Sequence, residues 1–231
     1  FHPLLENWDC FEKVGRLIMD RKTIAIDLTG GIESTWMNEI HTKNRNVIKK
    51  GEKNGLEFIV DEDFAYLTEF EELYNSTMDK LEADGFYYFD PGYYDQLKNT
   101  IQNRFLGIVK HEGKVVAGVI FFYQLPYGHY HLAGSDKSAL KLSPNNFLLW
   151  EAAKELTNRG VEYFHLGGGT DGSEENSLYQ YKRKFSKHEY QFALGKMIFN
   201  PSLYEDICTE WAAANPEKAD KLKNILLKYK Y

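Results

Sequence analysis

The sequence predicts a mixed α+β domain built on a central, mostly antiparallel sheet flanked by helices. Three observations carry that expectation. Strand patterns over 105–110, 114–124 and 129–134 are separated only by the turns His111-Glu-Gly113 and Pro126-Tyr-Gly128, a spacing that closes antiparallel hairpins and leaves no room for crossover helices. The middle pattern is apolar on both faces, with Val115, Ala117, Val119 and Phe121 alternating against Val116, Ile120 and Phe122. Such a strand belongs at the centre of a sheet covered on both sides. The 231 residues are 43% hydrophobic and include 16 Tyr, 15 Phe and 4 Trp, a load of large apolar side chains that disordered chains lack.

The remaining elements follow from periodicity and punctuation. Residues 23–28 form a short strand ended by Gly30-Gly31. Residues 33–54 read as one helix with Trp36, Ile40, Val47 and Ile48 as its apolar stripe, stopped at Gly55. A second strand covers 56–60. Asp61 then reads as the N-cap of a helix bearing Phe64, Leu67, Phe70, Leu73, Tyr74, Met78 and Leu81 at spacings of three and four. An aromatic loop over 86–92 precedes a helix over 93–103. Beyond the three central strands come a helix over 145–159, a strand over 161–166 and the run Gly167-Gly168-Gly169. A helix over 177–185, a strand over 190–199 and a helical, basic end from Pro201 complete the chain. Within that end, 217–231 reads as an amphipathic helix, either a packing helix with a solvated lysine face or an RNA-binding arm. The order β-α-β-α-α-β-β-β-α-β-α-β-α excludes a doubly wound parallel sheet.

Lys and Arg number 28 against 34 Asp and Glu, a formal charge of −6, which argues against a nucleic-acid-coating or DNA-binding protein. Cys10 and Cys208 are the only cysteines, so neither a disulfide framework nor a cysteine-rich zinc site is expected, and a reducing, cytoplasmic setting is. No apolar run approaches the roughly 20 residues of a membrane span. The opening Phe1-His-Pro-Leu-Leu5 reads as the interior of something longer.

Several features bear on chemistry. Gly167-Gly-Gly-Thr-Asp-Gly172 matches G-x-G-x-x-G formally, but too little chain follows to build a dinucleotide fold, leaving a flexible turn or a row of amides lining a site. His129 and His131 share one face of a strand without a third ligand at recognisable spacing, so a structural pair is favoured over a metal site. No nucleophile elbow is present. Basic clusters occur at Lys43, Arg45, Lys49, Lys50 and Lys53, and again at Lys182, Arg183, Lys184, Lys187 and His188. The second stands just beyond the glycines, where an ammonium at Lys182 would stabilise developing negative charge.

Three segments together resemble the Fem-type aminoacyltransferases of the GNAT acyltransferase superfamily: Lys43-Asn-Arg-Asn-Val-Ile-Lys-Lys-Gly-Glu-Lys-Asn-Gly55, the meander with His129-Tyr-His-Leu-Ala-Gly134, and His165-Leu-Gly-Gly-Gly169 followed by Ser177-Leu-Tyr-Gln-Tyr-Lys-Arg-Lys-Phe-Ser186. The resemblance spans about 23–200. It implies a remnant of a preceding GNAT-like half over 1–22, one GNAT-like domain over 23–200 and a helical extension over 201–231. It also implies transfer of an aminoacyl group from aminoacyl-tRNA, or of a small acyl group from acetyl-CoA, with no resident cofactor or metal. The acceptor would be an amine of a UDP-linked or lipid-linked cell-envelope precursor such as a peptidoglycan unit, and tRNA a partner. The family's aromatic-Lys pair falls on Tyr181-Lys182, which makes Lys182 the expected contact of the acyl oxyanion or a donor phosphate. Lys80, Tyr130, Tyr181 and Gly167, Gly168 and Gly169 are the implied substrate contacts. Members that use acetyl-CoA carry a Gln/Arg-x-x-Gly-x-Gly/Ala turn, which 134–146 lacks. No carboxylate stands out as the general base. A CoA-dependent acetyltransferase and a non-catalytic nucleotide-sugar or protein-binding module are the alternatives.

Overall fold

The computed structural model describes residues 1–223 and 225–230. The chain begins β1 (Arg16–Asp27), α1 (Gly31–Asn38), α2 (Thr42–Lys53), β2 (Glu57–Asp61), α3 (Leu67–Lys80) and α4 (Pro91–Thr100). It continues β3 (Arg104–His111), β4 (Lys114–Gln124), β5 (Tyr127–Ser135), α5 (Pro144–Asn158) and β6 (Tyr163–Gly168). It ends α6 (Ser177–Lys182), β7 (Glu189–Lys196), α7 (Pro201–Ala214) and α8 (Pro216–Ala219). The strands form a seven-stranded sheet in the order β2-β3-β4-β5-β6-β1-β7. The expected meander β3-β4-β5 is antiparallel throughout, and β5 and β6 form a parallel pair.

The two-faced apolar pattern of β4 has the predicted consequence. Ala117, Val119 and Phe121 join the larger core, with Phe105, Phe147, Trp150 and Phe164. Ile120 joins a second core on the other face, with Phe70, Tyr74, Tyr94 and Ile108. Helices α5 and α2 cover the first face, and α3 and α4 the second. Asp90 starts α4 two residues earlier than expected, because its carboxylate accepts from the Tyr93 N–H at 3.0 Å and Pro91 occupies the first turn.

Three expectations are corrected. The single helix over 33–54 is two. His41 adopts an extended ψ of 137° and its Nδ1 accepts from the Lys43 N–H, starting α2 afresh. Arg45 closes the break, its Nη1 donating to the carbonyls of Trp36, Met37 and Ile40 at 3.0, 2.9 and 3.0 Å. A basic-cluster residue therefore caps the end of α1. Arg45→Ala is expected to lower stability by about 1–2 kcal/mol, read as a urea midpoint, with no recovery in Arg45→Lys, whose single ammonium does not reproduce the planar donor fork. Secondly, Asp61 ends β2. Its carboxylate reaches across the loop to the Tyr66 N–H at 2.8 Å, and α3 starts only at Leu67. Thirdly, 217–231 is not one helix: α8 stops at Ala219 and a short 3-10 turn covers Lys228–Lys230, while Asn224 and Tyr231 lie outside the described residues.

Contacts divide the chain into a larger unit, Lys22–Tyr190, and a smaller one made of residues 1–21 and 191–231. The sequence reading places 191–200 with the sheet domain in a division 1–22, 23–200 and 201–231. In the structure these residues group with both ends of the chain. The Phe1 ammonium donates to the Ala193 carbonyl at 2.9 Å, and the Phe1 and Phe11 rings meet edge to face at 5.4 Å beside Gly195. All predicted site residues belong to the larger unit.

Candidate active site

The parallel ladder between β5 and β6 is only three pairs long and ends at His129 opposite His165. Beyond it β5 stays with β4 as far as Ser135, while β6 stays with β1 as far as Gly168. The two strands therefore part and open a fork in the middle of the sheet. Side chains alternate across each strand. Tyr130 faces the larger core, and His129 and His165 face the other side.

The first side of the fork carries Lys182. Helix α6 starts where Asn176 accepts from the N–H groups of Leu178 and Tyr179 at 3.1 and 3.2 Å, while its amide donates to Thr170 Oγ1 at 2.7 Å. A Cβ on Gly169 would come within 2.5 Å of the Asn176 oxygen, so the glycine leaves room for this cap. Lys182 lies three residues after Tyr179, on the same inward stripe. It is only 6% exposed. Its Nζ donates to the Gly168 carbonyl at 2.8 Å and sits 5.4 Å from the centre of the Tyr130 ring. Gly167 has a left-handed φ of +78°, which turns the strand end toward the ammonium.

Among the described residues no carboxylate lies within ion-pair distance of Lys182, and burial draws its pKa from 10.5 down to about 8. Burial pushes the phenols of Tyr130 and Tyr181 well up, and the Tyr130 phenol raises Tyr181 further. Both remain protonated donors at neutral pH. The Tyr181 hydroxyl is buried without a hydrogen-bond partner among the described residues. A buried ammonium without a counter-ion, beside a buried hydroxyl with an unused proton, is arranged to receive an oxygen that carries or develops negative charge.

Three other members of the second basic cluster meet carboxylates, and Lys184 is exposed. Arg183 pairs with Glu189 at 3.1 Å, and Lys187 and His188 reach Glu39 at 3.5 and 3.1 Å. Lys22 fastens the glycine loop from outside, binding Glu174 at 2.6 Å and Glu189 at 3.1 Å. The structure thus gathers Tyr130, Tyr181, Lys182, Gly167 and Gly168 at one place, with Gly169 shaping the loop beside them. It does not bring Lys80 to them: Lys80 is exposed in the last turn of α3, a helix on the second face. Asp136 is the cap of a short turn, accepting from the Ser138 N–H at 2.7 Å. A surface groove of about 390 Å³ lined by Tyr66, Glu69, Leu73, Lys110 and Lys114 contains none of the predicted site residues.

The second side of the fork holds His165 and Tyr93, which sequence reasoning did not select. The Nδ1 atoms of His129 and His165 are 3.3 Å apart, and His131 Nε2 is 2.6 Å from the Tyr93 hydroxyl. The only signal in the sequence was an imidazole on each of two strands, and nothing in it told that those strands pair. Among the described residues no group of three His, Cys, Asp or Glu side chains is placed to hold a metal ion.

No curated protein sequence matches the chain. Among solved structures, FemX matches with a TM-score of 0.66 at 15% identity, over 82% of this chain and 64% of that one. The C-terminal domain of a putative lysylphosphatidylglycerol synthetase from Agrobacterium fabrum matches at 0.59 and 17% identity, over 84% and 64%. L-PGS from Bacillus licheniformis matches at 0.60 and 16%, over 83% and 65%. The chain thus spans a little under two thirds of each of these proteins, and at such identities the likeness is one of fold. The family described as the acetyltransferase (GNAT) domain matches residues 40–183, more than half of the sequence and the whole stretch from α2 through Lys182. The chain belongs to that GNAT family, and its mostly antiparallel sheet has the Fem-type form of the fold.

Proposed function

We propose that this chain is an N-acyltransferase that moves an aminoacyl group from the ester of aminoacyl-tRNA to an amine of a peptidoglycan or other cell-envelope precursor. The observation that carries the proposal is the buried, unpaired ammonium of Lys182 at the fork. In acyl transfer the amine attacks the ester carbonyl, a tetrahedral oxyanion forms, and the C–O bond to the leaving hydroxyl breaks. Lys182 and the Tyr181 hydroxyl stabilise the oxyanion, and Tyr130 supplies the wall against which the acyl group lies. Preorganised donors in a dry site act without reorganising during the step.

The aminoacyl donor is supported by the Fem resemblance and by a structural neighbour named as a putative lysylphosphatidylglycerol synthetase. The start of α5 supports it too. Ser143 there has a left-handed φ of 63°, makes no side-chain cap and is followed by Pro144, which has no N–H to offer a pyrophosphate. The family's description as an acetyltransferase domain favours a second reading, CoA-dependent N-acetyl transfer.

Single-turnover assays with labelled aminoacyl-tRNA and with acetyl-CoA, each offered a UDP-linked precursor carrying a free amine, separate these readings. Aminoacyl transfer without acetyl transfer is expected. The reverse preference would establish the second reading. Transfer from neither donor, together with thermal stabilisation by the UDP-linked precursor, would make the chain a binding module. The role of Lys182 has its own signature. The free enzyme loses its ammonium as pH rises through about 8, so kcat/KM is expected to show a descending limb near pH 8. A flat profile across pH 7–9.5 would remove the charge of Lys182 from the mechanism.

A further inference from the structure

The imidazoles on the second side of the fork form a row. The His129 and His165 rings lie nearly parallel, 18° apart in plane with centroids at 5.4 Å, and their Nδ1 atoms approach to 3.3 Å. Two imidazole nitrogens at that distance have one good arrangement, in which one carries the proton and the other offers its lone pair. Protonating both would aim two N–H donors of positive rings at each other, and His165 is only 7% exposed. The pair therefore has room for one added proton and resists a second. The row continues through His131, whose ring is 6.2 Å from that of His129 and whose Nε2 meets the Tyr93 hydroxyl in the first turn of α4. Burial holds His131 below the ordinary histidine range and Tyr93 above the ordinary tyrosine range. Facing the pair are thus His131 from β5 and, beyond it, Tyr93 from α4. Behind Tyr93 stand Tyr94 and, from α3, Tyr74 and Glu71, while β4 contributes the uncharged Phe122 ring at 4.6 Å from His131.

We infer that the His129–His165 pair is the proton acceptor for the amine that receives the acyl group. This rests on the transferase reading above. Acyl transfer needs a cation near the carbonyl oxygen and a base near the nitrogen. The fork has Lys182 on one side, held to Gly168, and the pair on the other, three residues earlier on the same strand. When the N–C bond forms, the amine releases one proton to the Nε2 lone pair of the imidazole that donates through Nδ1, and the charge is shared across the Nδ1–H···Nδ1 bond. When the C–O bond breaks, the departing oxygen takes that proton, and the pair returns to its starting state. His131 and Tyr93 are positioning residues that fix the His129 edge of the row.

Two measurements on the same chain test this. In a ¹⁵N imidazole NMR titration, His129 and His165 are expected to titrate together with uptake of one shared proton, and His129→Gln is expected to alter the His165 curve. Independent uptake of two protons above pH 5 would overturn the inference. In transfer assays, His129→Gln and His165→Gln are expected to lower kcat/KM by about 10²–10⁴-fold at pH 7 with an unchanged melting temperature. A base that must be unprotonated to act gives the wild-type kcat/KM profile an ascending limb on its acid side, and that limb should disappear in both variants. Hydroxylamine as acceptor, whose weakly basic nitrogen yields its proton to water once the N–C bond forms, should recover part of the loss. Wild-type rates in both variants, or an equal loss with hydroxylamine and an unaltered pH profile, would reduce the pair to structure. If wild-type protein transfers from no donor while the shared proton is still seen, the transferase reading fails and the catalytic role goes with it.

Discussion

Lys182→Met is expected to abolish transfer and, at pH 7, to make the protein more stable. The two effects have one cause. In the unfolded chain the ammonium is hydrated and titrates near 10.5, whereas in the fold burial lowers its pKa to about 8. The interval corresponds to roughly 3 kcal/mol of discrimination against the charged form in the fold. Below pH 8 both states hold the proton, and the folded state bears the whole cost of the buried charge. Between pH 8 and 10.5 only the unfolded state holds it, so wild-type stability rises with pH through that window. Above 10.5 the cost is gone. Methionine fills a similar volume without the charge but leaves the Gly168 carbonyl without its donor, which offsets part of the gain. A net gain of about 1–2 kcal/mol at pH 7, or roughly 2–8 °C in Tm, is expected. The difference between the two proteins should cross zero between pH 8 and 10.5 and reverse above it, where wild type keeps the hydrogen bond to Gly168 without the cost of the charge.

Lys182→Arg makes the account discriminating. A guanidinium cannot release its proton, so the variant should be less stable than wild type at every pH in the series. Loss of transfer in Lys182→Met should reach at least about 10²-fold, the usual cost of removing one preorganised oxyanion donor. A methionine variant that is both inactive and less stable at pH 7 would mean that Lys182 holds the fold together, and the functional reading would lose its support.

The sheet was legible because its signals are local. Turn spacing gave the β3-β4-β5 meander, and two-faced apolarity placed β4 at the centre. Element boundaries were less legible where one side chain overrules a periodic pattern, as His41 and Arg45 do in splitting α1 from α2. Lys182 could be singled out, but its burial could not. A row of basic residues looks alike whether each is solvated or not, and only tertiary pairing shows that Arg183, Lys187 and His188 meet carboxylates while Lys182 meets none. His165 was hidden for a related reason, since its distance from His129 depends on the register of two strands 36 residues apart.

Gly134→Ala is expected to be among the most damaging single substitutions in the chain, costing roughly 3 kcal/mol or more in urea unfolding. Gly134 faces α3 across β5. A Cβ there would come within 2.4 Å of the Tyr74 nitrogen, 2.6 Å of the Leu73 carbonyl carbon and 2.7 Å of the Tyr74 Cα. These are backbone atoms, so no rotamer change relieves the clash, and the helix itself must move. Moving it disturbs the second core, where Phe70, Tyr74 and Tyr94 are almost fully buried. It also strains the bond by which the Ser135 N–H donates to Thr77 Oγ1 at 3.2 Å. Gly128→Ala on the same strand is the control. Its Cβ would meet only the ends of Leu156 and Val161 at 3.2 Å, flexible groups that can yield, and it should cost under about 1 kcal/mol. Because Tyr93 reaches His131 from the face that α3 helps to cover, the damage at Gly134 should also loosen the 2.6 Å contact between them, seen as a shift of the His131 titration toward the ordinary histidine value. If Gly134→Ala unfolds with the wild-type midpoint, the backbone of α3 does not lie against β5, and the placement of the histidine row beneath that face fails with it.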